Sequence, residues 1–439
     1  MCIQGSKIMV TGTEFEDRKS TLWNNEYESR VTMRSLNQKM AKLSINKRSI
    51  FELVRTRENI TRKEITAIIG LKTSTTVKLV SELIEEGMIV ESKIESPKLG
   101  RRPAALRLSG DLGRVIGVDL GRTGVRGALM DAGGSVVSES EESFGKQAGG
   151  EQVMKRLLSC IESLAGKASG REIIGIGIGV SGMIDYASGT CLFATGLPDF
   201  ENVPVRETVE KKFSVPVIVD DSSRTHAVGE RFHGLGRDVS NFIHVVLGEG
   251  IGAGIFINGS LYRGKSGISG EIGHIVIDRN GPRCRCGNHG CLEKYASGSA
   301  IAAQIEEALA EGVQSIVQKG AAGTGAVTAE SVTQAANQGD KLALGVLTRA
   351  GERIGQVLAS VVSILAPEKI IISGGVSLAG DLILEPIRRI VKGESAELLT
   401  RGLAIEISQL QNRAGTLGAA RMALINYFEG ENAWLSSSH

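Results

Sequence analysis

Three of the six cysteines in this chain fall within eight residues, at Cys284, Cys286 and Cys291, and His274 stands upstream with nine residues between it and the first. Cysteines crowded in this way, in a long chain with no regular cysteine framework, point to a metal before a disulfide. Three thiolates and one imidazole make a closed tetrahedral set, the signature of a structural rather than a catalytic zinc. The plain alternative is three buried free thiols. Cys2, Cys160 and Cys191 are isolated and read as ordinary residues.

The 439 residues call for two or three domains. A hydrophobic share of 41% beside 23% charge describes a soluble globular protein. No stretch approaches the ~20 uncharged apolar residues of a membrane span. The N-terminus, with Lys7, Glu14, Glu16 and Asp17, lacks the apolar block of a signal peptide. Neither a membrane role nor export is therefore expected. A cytoplasmic protein is expected, nucleoid-associated when bound to DNA.

Net charge is +2, but residues 41–110 hold 14 Lys/Arg against 8 Asp/Glu, which leaves the rest of the chain at −4. A basic end on an acidic body suits a DNA-binding module fused to a domain that does not bind DNA.

The chain divides on pattern. Residues 1–44 are polar, without sustained periodicity, and read as a poorly ordered arm. Residues 45–110 read as a winged helix-turn-helix. Ile50, Leu53 and Val54 have amphipathic helical spacing. In TRKEITAIIG, Thr61 is an N-cap, Glu64 its capping-box partner and Gly70 the stop. A third helix runs from about Ser74 toward Gly87, followed by an apolar run and the GRRPAALRL segment of a two-stranded wing. Such a unit lays its third helix in the major groove of operator DNA. Ser74, Thr75 and Thr76, flanked by Lys72 and Lys78, are expected to face bases and phosphates, and Arg101 and Arg102 to sit at the wing tip. The competing reading is a protein-interaction module built on the same three helices.

Residues 111–439 are glycine-rich α/β. Apolar runs at Val115–Val118, Ile173–Val180, Val217–Val219, Phe242–Leu247 and Ile370–Ile372 read as buried strands. Glycine turns recur at Asp119-Leu-Gly121 and Gly248-Glu-Gly-Ile-Gly252, which suggests two related lobes around a cleft.

These motifs converge. Asp119-Leu-Gly-Arg-Thr-Gly resembles the first phosphate loop of actin-like sugar kinases. Gly179-Val-Ser-Gly182 and Ile371-Ile-Ser-Gly-Gly375 resemble their other glycine turns. With Glu271-Ile-Gly-His274 and the Cys284-to-Glu293 block, the chain resembles the ROK family of repressors, open reading frames and sugar kinases over roughly residues 45–425. The resemblance implies a two-lobed, ribonuclease-H-like sugar-kinase fold behind the DNA-binding head. It also implies His274, Cys284, Cys286 and Cys291 as zinc ligands, and Glu271, His274 and Glu293 as holders of sugar hydroxyls. Asp221 joins that sugar set. A carboxylate can accept from two adjacent hydroxyls; the plain alternative is that Glu271 and Glu293 merely buttress the zinc loop. Expected partners are operator DNA, a sugar or sugar-phosphate effector, a second copy in a homodimer or homotetramer, and a sugar-transport protein.

The kinase pattern breaks where catalysis would need it. The position of the catalytic aspartate falls on Ser222, whose hydroxyl cannot take a proton at neutral pH; loss of a general base costs about 10²–10⁴ in rate. Asp221, one residue early, could substitute if the register slipped. Glu249 puts a carboxylate in the second phosphate loop, and Arg122 replaces a glycine in the first. Gly196 stands where the kinases carry a sugar-contacting asparagine. The expectation is a sugar-responsive regulator with an inactive kinase-like body. The alternative is an active ATP-dependent sugar kinase with an accessory head.

Overall fold

The computed structural model describes residues 43–429 apart from 58–59, 93–103, 146–147, 195, 266 and 318–325. Its first part is a small helical head. Ser44 accepts the Lys47 amide as N-cap of α1 (Ile45–Thr56), which buries Ile50, Phe51 and Val54. After the short strand β1 (Ile60–Thr61), Thr61 opens α2 (Arg62–Ile69) with a capping box. Its hydroxyl accepts the Glu64 amide at 3.3 Å, and Glu64 accepts the Thr61 amide at 2.8 Å. Two helix-end donors are thus satisfied reciprocally. Gly70 ends the helix at φ +74°, a conformation in which a Cβ is costly. Helix α3 (Thr73–Glu85) follows, and strands β2 (Ile89–Ser92) and β3 (Ala105–Leu108) pair antiparallel as the wing, with β1 on the other side of β3. Residues 1–42, expected to form most of the arm, and Arg101 and Arg102, expected at the wing tip, lie outside the described residues.

The body consists of two lobes with the same sheet topology. In the first, β4 (Arg114–Leu120), β5 (Gly124–Asp131) and β6 (Val136–Ser143) form an antiparallel meander. Helix α4 (Gly150–Ala165) leads to β7 (Ile173–Val180), parallel to β4. A small sheet of β8 (Met183–Asp185), β9 (Thr190–Phe193) and β10 (Glu201–Val203) intervenes. Helix α5 (Val205–Phe213) then returns to β11 (Val217–Asp221), parallel to β7. All eight residues of β7 are buried, so the strand reads as a continuous apolar run.

Helix α6 (Ser222–His233) leaves β11 and packs on the second lobe, against its strands β12 (Phe242–Leu247) and β13 (Ile251–Ile257). These continue into β14 (Ser260–Tyr262) as a second meander. Helices α7 (Glu293–Ala296), α8 (Gly298–Ala310), α9 (Ala329–Asn337) and α10 (Lys341–Leu365) cover that lobe. Strand β15 (Lys369–Ser373) lies parallel to β12. After α11 (Asp381–Glu394) and α12 (Glu397–Thr400), β16 (Ala404–Ile407) completes the sheet. The orders β11-β7-β4-β5-β6 and β16-β15-β12-β13-β14 match strand for strand. The recurrence of glycine turns in the sequence marked this duplication.

Helix α13 (Arg413–Glu429) returns to the first lobe and lies on β4, β7 and α6. It is buried on every side from Ala414 to Leu424, so it has no amphipathic stripe. It crosses α6 at glycines: a Cβ on Gly418 would collide with the Thr225 carbonyl, and one on Gly229 with the Ala414 carbonyl. Separate cores fill the lobes, and a third core, with Val115, Ile218, Phe242, Ile371 and Leu424, joins them. Among the described residues, no helix is long and apolar enough to cross a membrane.

Candidate functional site

His274, Cys284, Cys286 and Cys291 come together with their ligand atoms all within 4.8 Å of one another. The Cys286 and Cys291 sulfurs are 3.6 Å apart, and Cys284 Sγ is 3.6 Å from Nδ1 of His274. Two thiolates bound tetrahedrally at Zn–S ≈ 2.3 Å sit ~3.8 Å apart, so the donor set fits such a metal. The loop reaches this shape through tight backbone contacts. The Cys284 amide donates to the Asn288 carbonyl at 2.8 Å, and Gly287 and Gly290 take φ of +98° and +66°. The Nε2 edge of His274 is left facing Glu271, 4.0 Å from its carboxylate.

The cleft lies beside this loop, at the carboxyl ends of the parallel strands, where open α/β sheets bind ligands. Strand register sets Asp119, Gly179 and Asp220 side by side. Asp220 is wholly buried and bonded to Arg224 (2.6 Å) and Arg263 (2.9 Å). Burial pushes its carboxyl upward, but the two guanidiniums outweigh that and hold it below the usual range. Asp221 caps α6, accepting the Ser223 and Arg224 amides at 2.8 and 3.3 Å; burial raises its carboxyl. Ser222 donates its hydroxyl to Asp119 at 2.6 Å, and the Nδ1 of His226 lies 3.4 Å from the same hydroxyl. At the kinase base position, then, Asp221 gives one carboxylate oxygen to the helix end and Ser222 is a hydroxyl donor.

Asp221, Glu271 and Glu293 converge electrostatically. Burial, and then the charges of Asp221 and Glu293, push Glu271 up to about 7, against the pull of Arg224. Three acidic groups at one place can accept hydrogen bonds from several adjacent hydroxyls.

Arg122 gives the site its unexpected feature. From the turn after β4 it reaches across the cleft, donating from Nη2 to Glu293 Oε2 at 3.1 Å and from Nη1 to the Glu249 carbonyl at 2.9 Å. The Ile251 amide also donates to Glu293, at 3.3 Å. One guanidinium thus binds the backbone of the second phosphate-loop turn and a carboxylate expected to hold sugar. Gly196 makes room for it: a Cβ there would lie 2.9 Å from Arg122 Cδ. The sequence marks Arg122 and Gly196 as separate departures from the kinase pattern; in space they are one.

On the head, Lys72, Ser74 and Lys78 are exposed and Thr75 is half-buried. Thr76 corrects the sequence expectation. It is wholly buried, in line with Val80 and Leu83 on the inner face of α3, while Val77 is 43% exposed. Helical period, not the run of hydroxyl residues, decides which side faces out. The head also touches the body, which sequence patterns could not reveal. Arg421 of α13 donates to the Arg55 carbonyl at 2.9 Å, and the Phe51 and Phe428 rings meet edge-on with centroids 5.7 Å apart.

A model of the ROK family matches residues 115–425. The chain is 35% identical over 382 residues to the xylose repressor of Caldicellulosiruptor bescii, covering 87% of this chain and 95% of that one. It is 34% identical over 306 residues to the glucokinase of Halalkalibacterium halodurans, but that match covers only 69% of this chain. Among solved structures, a ROK family transcriptional regulator described as a homolog of the E. coli MLC protein superposes with a TM-score of 0.70 at 28% identity, over 89% of this chain and 97% of the other.

Proposed function

The chain belongs to the ROK family, and from that membership and the site geometry we propose that it is a sugar-responsive transcriptional repressor whose kinase-like body senses and does not phosphorylate. The observation that carries this reading is the Arg122 clamp. A kinase needs the two glycine turns to admit nucleotide phosphates; here a guanidinium ties one turn to the other and Glu249 adds a carboxylate. Ser222 at the base position supports the same conclusion. The repressor relative aligns along head and body alike, whereas the glucokinase match leaves out nearly a third of the chain.

In this reading Asp221, Glu271, Glu293 and the Nε2 edge of His274 hold a sugar or sugar phosphate. A zinc ion would be held by Cys284, Cys286, Cys291 and Nδ1 of His274. It supplies no chemistry beyond fixing the loop that presents His274 and Glu293. Lys72, Ser74, Thr75 and Lys78, with Arg101 and Arg102 of the wing, contact operator DNA. Dimeric pairing of two such heads would place them on half-sites one turn, ~34 Å, or a multiple apart. Sugar binding acts at the amino end of α6. That helix is locked to α13 through Gly229 and Gly418, and α13 holds α1 of the head through Arg421. A cleft movement of a few Å can thereby change head spacing.

The test is binding of the full-length zinc-loaded protein to duplexes it selects from its own genome, by fluorescence anisotropy. Specific binding should fall steeply with salt, about −0.9 in log–log slope per phosphate contact. Failure to select any sequence, together with sugar-dependent ATP turnover, would favour the kinase reading and make Asp221 the candidate base.

A further inference from the structure

We propose that the seam between head and body holds a second ligand site, one that takes a small phosphate-type dianion. A cavity of about 230 Å³ opens there, lined by Arg55 and Arg107 of the head, by Ser135 on the turn after β5, and by His233, Arg237 and Arg421 of the body. This is smaller than the ~300–1,000 Å³ of pockets for drug-sized ligands, and suits a compact ion. Among the described residues that line it there is no carboxylate. Four arginines from four separate stretches of chain therefore line one space.

Two of them are built in rather than draped on the surface. Arg55 and Arg421 are only 7% and 6% exposed. Arg421 is pinned by its bond to the Arg55 carbonyl at 2.9 Å and lies over the Phe232 ring at 4.3 Å. Glu52 offsets Arg55, accepting from its Nε at 2.8 Å. Arg107 donates to the Ser135 hydroxyl at 3.2 Å, which leaves that hydroxyl able to donate inward. His233 lines the same space with a buried Nε2 that has no hydrogen-bond partner. Burial first, and then the charges of Arg421, Arg237 and Arg413, drive its imidazole down to about 4. A neutral imidazole still offers one N–H.

Planar guanidinium forks match phosphate oxygens two at a time, and the pairing is strongest where water is scarce. Arg55 and Arg421 lie too deep for a duplex backbone, so the occupant is a free ion or a phosphomonoester of a small metabolite. An ion there would join α1 and β3 of the head to α6 and α13 of the body. The site is separate from the sugar cleft, and its binding test does not depend on the repressor reading.

Calorimetry of the full-length protein with sodium phosphate, against sodium chloride at matched ionic strength, tests it. One saturable site per chain is expected. Arg107→Gln combined with Arg237→Gln, both exposed and harmless to folding by thermal melting, should weaken it at least tenfold. Arg122→Gln in the cleft should leave it unchanged. A hexose 6-phosphate that competes with phosphate in the Arg122→Gln protein would identify a phosphomonoester as an acceptable occupant. Absence of saturable binding, or loss of binding in Arg122→Gln but not in the double variant, would overturn the proposal.

Discussion

Arg122 Nη2 lies 3.1 Å from Glu293 Oε2, joining the first lobe to the second across the cleft. Sugar hydroxyls that need Glu293 must compete with this guanidinium. Glu293→Gln should weaken sugar binding by about tenfold or more, because hydrogen bonds to an ionised acceptor are roughly twice as strong as neutral ones. Arg122→Gly should instead tighten it severalfold by freeing the carboxylate. Calorimetry on both variants decides; weaker binding in Arg122→Gly would make Arg122 a ligand contact rather than a competitor.

Ser222 bonds to Asp119 at 2.6 Å, in the place where the kinase pattern has its base. Ser222→Asp alone should show no sugar-dependent ADP release, since Arg122 and Glu249 still oppose the nucleotide. A carboxylate within ~4 Å of a phosphate charge costs about 4 kcal/mol at an effective dielectric of 20. Activity in this single variant would mean the clamp opens readily.

The Cys284, Cys286, Cys291 and His274 cluster predicts one zinc per chain by elemental analysis. Structural zinc contributes roughly 10–16 kcal/mol of apparent binding energy in finger peptides. Chelation or Cys286→Ser should therefore lower the melting temperature and abolish sugar binding, since the same loop carries Glu293 and His274. Sugar affinity that survives full metal removal would separate the two sites.

On α3, exposed and buried hydroxyls should behave oppositely. Ser74→Ala should alter operator preference without changing the melting temperature, and Lys78→Ala should reduce the salt slope by about 1. Thr76→Lys should destabilise the head, because it buries a charge at a position with no exposure. Circular dichroism melts beside anisotropy titrations distinguish these outcomes.

Much of this architecture was legible because local chemistry dictated it. Thr61, Glu64 and Gly70 carry a complete start and stop for α2, and the gathering of His274 with the three cysteines is written in residue type and spacing. The long apolar runs that became β7 and β12 could hardly be anything but buried strands. Thr76 was misplaced because a run of three hydroxyl residues hides the period that turns one inward. Arg122 was visible as a departure, but its partner lies 171 residues away, and no local pattern encodes that pairing. The same holds for Arg421 and Arg55, 366 residues apart, and for α13, whose all-round burial erases any helical stripe.

The central claim, that a sugar in the body controls the head, is tested by the DNA affinity of the full-length protein with and without sugars. A panel of pentoses, hexoses, amino sugars and their phosphates covers the class. One of these should change affinity for the selected operator at least tenfold with no ATP consumed. Arg421→Gln should bind that sugar normally yet lose most of the change, because its bond to the Arg55 carbonyl at 2.9 Å is gone. DNA affinity indifferent to every sugar, in a protein that binds one and turns over ATP with it, would contradict the account.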